Sequence, residues 1–445
     1  MTPLRGQSVS IVGAGLAGSL LALLLARRGF TVTLYDRGSD PRAEVPAAGR
    51  SINLALAARG IRALERAGIM QDVKPLLIAM RGRMLHDRSG NCELQPYGQK
   101  DDEVIYSVSR ATLNVSLLER AARHREVSIK FGHTCLAADL DRDVLRFRDL
   151  ASSLTYETRL TPSIATDGAG SAVRSSLAAA RAVHAREELL DHDYKELSVP
   201  ARHNRHALAS DALHIWPRGG FMLIALPNTD ASFTATLFLP RTGAASFTEL
   251  STPARINAFF SREFPDAAQL MPDLVDQFMR HPLGLLGTVH TSPWHVEGHV
   301  LLLGDAAHAI VPFHGQGMNA TFEDCLVFDA LMEEHQDWAT LFQDFERRRR
   351  PNAEAIAQMS LENYVEMRDT VLDPAFKRHQ ELALELERRF PDRFIPRYSM
   401  VMFHPEIPYA EALRRGNVQA SIVAAVESDP QCAATLIHER LSALK

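Results

Sequence analysis

The chain has 445 residues, enough for two or three domains, with 46% hydrophobic and 23% charged residues, as in an ordinary globular protein. Its formal net charge of −5 gives no reason to expect a nucleic-acid partner. The four cysteines are widely spaced, which argues against a disulfide framework or a thiolate metal site. Because no apolar run reaches the ~18 residues that a membrane helix needs, we expect a cytoplasmic protein without a membrane anchor.

The N-terminus predicts a strand, a glycine-rich turn and a helix. Residues 8–12 alternate in polarity and include the β-branched Val9, Ile11 and Val12, as a buried strand should. Gly13 permits a tight turn, Gly15 lets the backbone approach a pyrophosphate, and Gly18 lets the next helix pack closely. The helix is predicted from Leu16 to about Gly29, and its first N–H groups suit phosphate.

A second strand, residues 31–35, ends in Asp36, a position suited to accept hydrogen bonds from a ribose hydroxyl. GxGxxG alone is a weak signal, but its place between two predicted strands with a terminal acid makes a dinucleotide site the favoured interpretation. The alternative is a tight turn without a ligand. This unit does not distinguish FAD from NAD.

A second glycine-rich segment lies late in the chain. The apolar residues 300–303 end at Gly304 and Asp305, and an acid at the carboxyl end of a strand is well placed for ligand binding in an α/β sheet. Residues 315–320 then open a helix whose N–H groups could face the N1–C2 edge of a flavin. A turn without a ligand is again the alternative.

Between and after these segments, periodicity predicts helices and strands. Helices are expected at residues 54–64, 112–123 and over most of 319–370, and in a proline-interrupted C-terminal region. A strand is expected at 127–131 and a hairpin-like region at 137–160. Residues 214–217, 221–226 and 233–239 are separated by turn sequences and predict an inserted antiparallel sheet. The basic run 347–350 is interpreted as a solvated helix face.

Three motifs together resemble the single-domain FAD-dependent aromatic hydroxylases of the para-hydroxybenzoate hydroxylase fold group. They are the N-terminal glycine loop, Asp167-Gly168 with Arg174, and Gly304-Asp305. Within that group, several blocks resemble the kynurenine 3-monooxygenase family: residues 49–56, 214–218, 310–319 and 363–368. The resemblance covers about residues 7–410. It does not extend to the C-terminal membrane anchor of eukaryotic members, because residues 411–445 are charged and interrupted.

The resemblance implies an α/β fold with a Rossmann-like FAD-binding domain, an inserted antiparallel-sheet substrate domain and a C-terminal helical cap. The expected FAD-binding domain is discontinuous, over residues 1–75, 106–180 and 285–370. The substrate-binding sheet domain is expected at 76–105 and 181–284, and the cap at 371–445.

The implied reaction is hydroxylation of L-kynurenine to 3-hydroxykynurenine, with NADPH and O₂ as co-substrates, through a flavin C4a-hydroperoxide. The cofactor carries this chemistry, while the protein orients the ring and excludes water. No second βαβ unit for NADPH is found in the sequence.

Kynurenine is a zwitterionic aryl ketone. Its binding site therefore needs a cation that holds the carboxylate group, which we call the carboxylate clamp, and an apolar slot for the ring. Arg83 matches the family's carboxylate-binding arginine and Tyr97 its partner hydroxyl, while Arg81 is a nearby arginine without that role. The other residues that match substrate contacts are Asn363, Tyr398, Glu366, Met367, Phe313, His314, Leu213, Ile224, Leu226 and Phe238. For the apolar ones, ordinary core packing is nearly as good an account, and an acid–base role for His314 is not required.

The resemblance also implies which residues contact FAD. They are Gly13, Gly15, Gly18, Asp36, Arg37, Arg50, Ala55, Arg110, Cys135, Asp167, Asp305, Gly317, Met318 and Asn319. Arg50 and Arg110 could pair with phosphate or ribose, or could instead form salt bridges between domains.

Three other functions compete with this interpretation. A hydroxylase of a different aromatic acid would use the same frame. A flavin halogenase would carry a W-x-W-x-I-P segment, which the three widely spaced tryptophans of this chain exclude. A nucleotide-sensing protein without catalysis would not need the polar clamp. The sequence predicts no metal site.

Overall fold

The computed structural model describes residues 4, 6–43, 53–391 and 393–441. The chain divides into two units. The first comprises Met1–Leu77, Val108–Leu189 and Gly287–Glu354, and the second comprises Ile78–Ser107, Leu190–Leu286 and Ala355–Lys445.

Runs of up to five consecutive strands are separated by α-helices up to residue 302, and helices alone occupy the rest of the described chain. The strands are β1 Ser8–Val12, β2 Thr31–Tyr35, β3 Asn53–Leu56, β4 Ile78–Met80, β5 Gly82–His86, β6 Cys92–Pro96, β7 Ile105–Ser109, β8 Val127–Lys130, β9 His133–Asp139, β10 Val144–Asp149, β11 Thr155–Arg159, β12 Ser163–Ala165, β13 His184–Val199, β14 Ala212–Pro217, β15 Met222–Pro227, β16 Phe233–Pro240, β17 Leu283–Ser292, β18 His295–Val296 and β19 Val300–Leu302. The α-helices are α1 Leu16–Arg27, α2 Ala58–Ala67, α3 Met70–Val73, α4 Arg110–Ala122, α5 Ala172–Ala179, α6 Pro253–Glu263, α7 Pro265–Ala268, α8 Leu274–Arg280, α9 Asp305–His308, α10 Gly317–Glu334, α11 Trp338–Val365, α12 Pro374–Arg389, α13 Arg397–Phe403, α14 Tyr409–Ser428 and α15 Ala433–Leu436.

The first unit is built on a six-stranded sheet in the order β18-β19-β12-β1-β2-β8. Its strands are parallel except for β18, which pairs antiparallel with β19. The apolar side chains of β1 and β2, among them Ile11, Val32 and Leu34, are fully buried, as expected where helices cover a parallel sheet. The carboxyl ends of β1 and β19 therefore lie at one edge, where both glycine-rich turns begin.

The second unit is built on a seven-stranded sheet in the order β17-β13-β16-β15-β14-β5-β6. The observed pairings of its strands are antiparallel except for β14 with β5, which run parallel. Trp216, Leu223, Ala225 and Leu237 on one face pack into a core with the buried side chains of α6, α7 and α8. The other face carries Arg83 and the predicted apolar slot.

The C-terminal helices begin where proline and capping residues predict. Pro374 is the first residue of α12, and the Asp373 side chain accepts a hydrogen bond from the Ala375 N–H. Leu386 of α12 packs with Ile422 and Val426 of α14. Helix α11 ends in a π-helical turn, Glu366–Thr370. In the described part of the chain, no helix is both long and apolar enough to cross a membrane.

The α/β fold class and the order of elements are confirmed, with local corrections. The helix predicted at 54–64 is wrong in its first part, because β3 occupies Asn53–Leu56 and the helix begins at Ala58. The 16-residue strand β13 is not anticipated from its charged sequence, although its last half alternates between buried and half-buried residues. Arg349 is also wrongly assigned to a solvated face, since it is only 3% exposed.

Candidate active site

The glycine loop between β1 and α1 has little free space on one side and open space on the other. Gly13 adopts φ +105°, and a Cβ there would lie 2.5 Å from the Thr166 carbonyl oxygen. A Cβ on Gly18 would lie 1.9 Å from the Gly13 carbonyl oxygen, so only glycine lets α1 start this close to the turn. A Cβ on Gly15 would meet no atom within 4 Å. The loop thus leaves room at Gly15 for an incoming group.

Asp36 is held beside this loop by backbone donors. The Ala14 N–H donates to Asp36 Oδ2 at 2.7 Å, and the Gly38 N–H donates to Oδ1 at 2.7 Å. Each carboxylate oxygen keeps a further lone pair for a hydroxyl group. Arg37, the next predicted FAD contact, is exposed. The structure therefore brings the acid to the turn that the sequence predicted.

Asp167, after β12, has a buried carboxylate that is only partly satisfied. Oδ2 accepts from the Ala172 and Val173 N–H groups of α5 at 2.8 and 3.3 Å. Among the described residues, Oδ1 has no hydrogen-bond partner. Burial raises the pKa of Asp167. Burial and the charge of Asp167 also raise the pKa of the Cys135 thiol to about 12, so Cys135 is a neutral thiol near this carboxylate.

Arg174 of α5 joins two of the predicted motifs. Its Nη1 donates to the Ala306 carbonyl at 3.0 Å, and its Nη2 donates to the Ala169 carbonyl and to Glu187. The Asp-Gly and Gly-Asp segments are therefore linked by one buried guanidinium.

Helix α10 begins at Gly317, after a 3₁₀ turn at Pro312–His314 that buries Phe313 and His314. The side chain of Asn319 is fully buried and is engaged by backbone groups. Its Nδ2 donates to the Ala55 and Gly315 carbonyls at 2.8 and 2.9 Å, and its Oδ1 accepts from the Ala57 N–H at 2.9 Å. This amide fixes the start of α10 against β3.

The other predicted FAD contacts fall in the same unit. Asp305, the first residue of α9, and Arg110, the first residue of α4, are exposed, while Met318 is 9% exposed. Arg50 lies outside the described residues. Ala55, Gly317 and the remaining members of the set lie on or next to the turns already described.

Two polar residues that support the loop were missed from the sequence. Asn114 of α4 donates from Nδ2 to the Ala14 carbonyl at 3.0 Å, and Thr166 Oγ1 donates to the Gly13 carbonyl at 2.8 Å. The signal for Thr166 was its place between Asp167 and the end of β12, the strand that pairs with β1. Asn114 left no local signal, because its partner is 100 residues away.

In the second unit, Arg83 lies at the centre of a polar cluster. Its Nη1 is 3.0 Å from Glu366 Oε1, and its Nη2 is 3.5 Å from Asn363 Oδ1. Its guanidinium carbon lies 4.8 Å from the ring centroid of Tyr398, which stacks on Tyr97 at 5.6 Å. Arg81, two residues earlier, is exposed. Arg83 is thus enclosed in the cluster, whereas Arg81 lies at the surface.

The cluster is charged at Arg83 and neutral at the tyrosines. Burial opposes the arginine cation, but the influence of Tyr398 and Glu366 outweighs it and raises the pKa of Arg83. Burial raises the pKa of the Tyr97 phenol well above its usual value and raises that of Tyr398. Both phenols therefore keep their protons and can donate to an anion.

Asn363, Glu366 and Met367 come from the end of α11 and the π-helical turn. Asn363 Nδ2 lies 3.2 Å from Met367 Sδ. The turn is held by the β14–β15 connection, where the Gly219 N–H donates to the Arg368 carbonyl at 3.0 Å and the Gly220 N–H to Asp369 Oδ1 at 2.6 Å. A π turn widens the helix locally and is often found at functional sites.

The four predicted slot residues of the sheet share the face of Arg83. Leu213 is directly opposite Arg83, and Ile224 is opposite Ile215, two residues further along the same face. Leu226 follows two residues after Ile224, and Phe238 is opposite Met222. Because side chains alternate between faces, all four lie away from the core that packs on α6–α8.

Comparison with known proteins finds relatives over most of the chain. A family model described as FAD binding domain matches residues 7–360. A kynurenine 3-monooxygenase of Stenotrophomonas maltophilia is 48% identical over 420 residues, which cover 94% of this chain and 92% of the relative. The chain belongs to the kynurenine 3-monooxygenase family. A kynurenine 3-monooxygenase of Myxococcus xanthus is 45% identical, and the match covers 99% of this chain and 97% of the relative.

Solved structures support the fold of this family member. A 2-methyl-3-hydroxypyridine-5-carboxylic acid oxygenase has a TM-score of 0.67 at 20% identity, covering 83% of this chain and 95% of its own. The p-nitrophenol 4-monooxygenase of Pseudomonas putida has a TM-score of 0.67 at 18% identity, covering 86% and 94%. At these identities the likeness concerns the fold alone.

Proposed function

We propose that the protein is an FAD-dependent monooxygenase that hydroxylates L-kynurenine to 3-hydroxykynurenine with NADPH and O₂. The observation that carries the substrate is the buried cation of Arg83, with two phenol donors and the Glu366 carboxylate around it. A cation with neighbouring donors suits a carboxylate, and an adjacent anion suits the α-ammonium group of an amino acid.

The first unit fits FAD. The open space at Gly15 accommodates a pyrophosphate, Asp36 has lone pairs for a ribose, and the unsatisfied Oδ1 of Asp167 can accept from a hydroxyl group. FAD bound here would supply the redox and oxygen-activating chemistry, with NADPH as the reductant. In this proposal the first N–H groups of α10 would hold the flavin ring, because the positive potential of a helix N-terminus favours negative charge.

The second unit's residues bind and orient the substrate. Arg83, Tyr97 and Tyr398 hold the carboxylate, with Asn363 and Met367 beside them. The apolar face of Leu213, Ile224, Leu226 and Phe238 receives the aryl ketone and excludes water. Phe313 and His314 stay substrate contacts predicted from the sequence, with no proton transfer assigned to His314. The ring amine already activates its ortho carbon.

The test is product formation by the purified protein. With L-kynurenine, NADPH and air, we expect 3-hydroxykynurenine in amounts equal to the NADPH consumed, measured by chromatography and mass spectrometry. A second reaction with an aromatic acid that lacks the amino-acid head should give little product. Faster hydroxylation of that acid would favour the alternative, a flavin hydroxylase of another substrate.

A further inference from the structure

A buried charge network lies in the first unit, next to the Gly304–His308 segment and the start of α10. Asp324 of α10 is fully buried and accepts a hydrogen bond from Arg349 Nε at 2.6 Å and one from His308 Nε2 at 2.6 Å. Arg349 also donates to Glu323 Oε2 at 2.6 Å, and Arg59 donates to Glu323 Oε1 at 2.6 Å. None of these residues contributes to the proposed chemistry.

The network ties together segments that carry predicted FAD contacts. His308 ends α9, which begins at Asp305, and Arg59 is in α2, directly after β3 with Ala55. Glu323 is four residues after Asn319 on α10, so both face β3 and α2 from one side of the helix. Asp324 is directed instead to α9 and α11. Helix α10 therefore holds two binding segments through adjacent carboxylates.

Every carboxylate in this network faces a cation. Burial opposes ionisation of Asp324, but His308 and Arg349 outweigh it and lower its pKa. Burial likewise opposes the charge of Arg349, while Glu323 and Asp324 raise its pKa. Such a buried network adds little net stability, because desolvation offsets the attraction between its charges. Its directional hydrogen bonds do fix geometry.

We propose that Asp324 is a positioning residue for FAD, which holds the Gly304–His308 segment and the start of α10 in one arrangement through His308 and Arg349. The proposal rests on the FAD binding proposed for this chain and concerns affinity rather than chemistry. His308 also packs against Trp294, with ring centroids 4.8 Å apart and the ring planes tilted by 32°, so the imidazole has one packed orientation in which to meet Asp324.

The same helix provides a matched control. Asp329 of α10 is 5% exposed and is also paired with two arginines, Arg28 and Arg66. Arg28 directly follows α1 and Arg66 lies in α2, away from the Gly-Asp turn. Asp324→Asn and Asp329→Asn therefore each leave two hydrogen-bond partners, at least one of them an arginine, facing a neutral amide, but only the first changes the contact to α9.

The experiment measures FAD release, by the rise in flavin fluorescence on serial dilution of the holoenzyme, together with the Tm of each variant. We expect both variants to lose stability, and Asp324→Asn alone to bind FAD about 10- to 100-fold more weakly, as for a lost charge-assisted hydrogen bond. Equal FAD affinity in the two variants would overturn the proposal. If the wild-type protein carries no FAD, it is the proposed function that fails.

A second pair of variants applies if Asp324→Asn does not fold. His308→Gln keeps an N–H donor toward Asp324 and should retain most of the FAD affinity. His308→Leu removes the donor and should weaken FAD binding to the extent expected for Asp324→Asn. Wild-type FAD affinity in His308→Leu would contradict the proposal.

Discussion

The guanidinium of Arg83 lies 3.0 Å from the carboxylate of Glu366, so the cation proposed to bind substrate already has an anion beside it. Arg83 is 6% exposed and Glu366 is 23% exposed at the side chain, which leaves the carboxylate the more accessible of the two. An incoming zwitterion can satisfy both charges at once. This pair is therefore where the substrate proposal is most open to test.

Arg83→Met should weaken kynurenine binding while leaving FAD in place. Loss of a charge-assisted bidentate contact costs roughly 2–4 kcal/mol, which corresponds to about a 30- to 1000-fold loss of affinity. Loosely held substrate should also divert NADPH oxidation to hydrogen peroxide. Kynurenine affinity, flavin content and peroxide yield measure these effects.

Arg81→Met is the matched control, because Arg81 is exposed and only two residues away. It should have little effect on all three measurements. If Arg81→Met impairs binding and Arg83→Met does not, the wrong arginine has been chosen. If neither substitution matters, the kynurenine proposal fails.

Glu366→Gln should discriminate between substrates with and without an α-ammonium group. Losing a hydrogen bond to a charged group costs about 1.5–3 kcal/mol, so kynurenine should bind about 10- to 100-fold more weakly. Binding of a kynurenine analogue that lacks the α-amino group should weaken much less. Equal losses for the two compounds would show that Glu366 acts on Arg83 and not on the substrate.

Gly15→Val should yield folded protein with little FAD. The backbone at Gly15 is in the extended region, at φ −74° and ψ −171°, and a Cβ there meets no neighbour within 4 Å. The branched side chain instead fills the space assigned to the pyrophosphate. Flavin absorbance and Tm provide the measurements, and a yellow protein with wild-type FAD content would place the cofactor elsewhere.

Gly18→Ala is expected to act differently. Its Cβ would meet the Gly13 carbonyl at 1.9 Å, so the loop and α1 must separate and the fold itself should be destabilised. A Tm equal to that of the wild type would contradict the close packing described for this turn.

The second unit should lose stability in mild acid through His214. Burial, with the charge of His86 as a smaller cause, lowers the pKa of His214 to about 4, although its hydrogen bond to the Ala209 carbonyl acts in the opposite direction. Its usual pKa is 6.5. Between these values the unfolded chain binds a proton that the native state does not, so stability falls as the pH falls from about 6.5 toward 4, by up to about 3 kcal/mol.

The check is the Tm from pH 7 to pH 5 in the wild type and in His214→Gln. The variant should lose less of its Tm over this range than the wild type does. An identical decrease in both proteins would assign the acid sensitivity to other groups, such as Asp266. Burial opposes ionisation of that carboxyl, but hydrogen bonds from His86 and Trp216 outweigh it and lower its pKa to about 2.

Local signals determined which parts of the fold could be predicted. The strand at residues 8–12, the glycine loop and Asp36 follow from short-range patterns, and all were found where expected. The strand β13 was missed because its first half is charged and exposed, so its apolar alternation covers only the second half. Its pairing with β16 is a long-range property that no local pattern records.

The site residues also divide into those that have a local signal in the sequence and those whose contacts are long-range. Arg83 could be selected over Arg81 because the motif distinguishes them, and alternation along β5 places Arg83 on the face opposite the core. Arg349 was misjudged because four consecutive arginines are typical of a solvated surface. Its partners Glu323 and Asp324 are 26 and 25 residues away, and only the packing of α10 on α11 brings them together.

The π-helical turn at Glu366–Thr370 has a consequence for how the chain tolerates changes in length. A π turn holds one residue more than an α-helical turn, so deleting one residue there would restore a regular α-helix with little rotation of the segments on either side. The residue would be lost from the segment that presents Glu366 to Arg83 and accepts the hydrogen bonds of Gly219 and Gly220. A single lost codon in this turn would thus change the contacts of the Arg83 cluster more than the course of the chain.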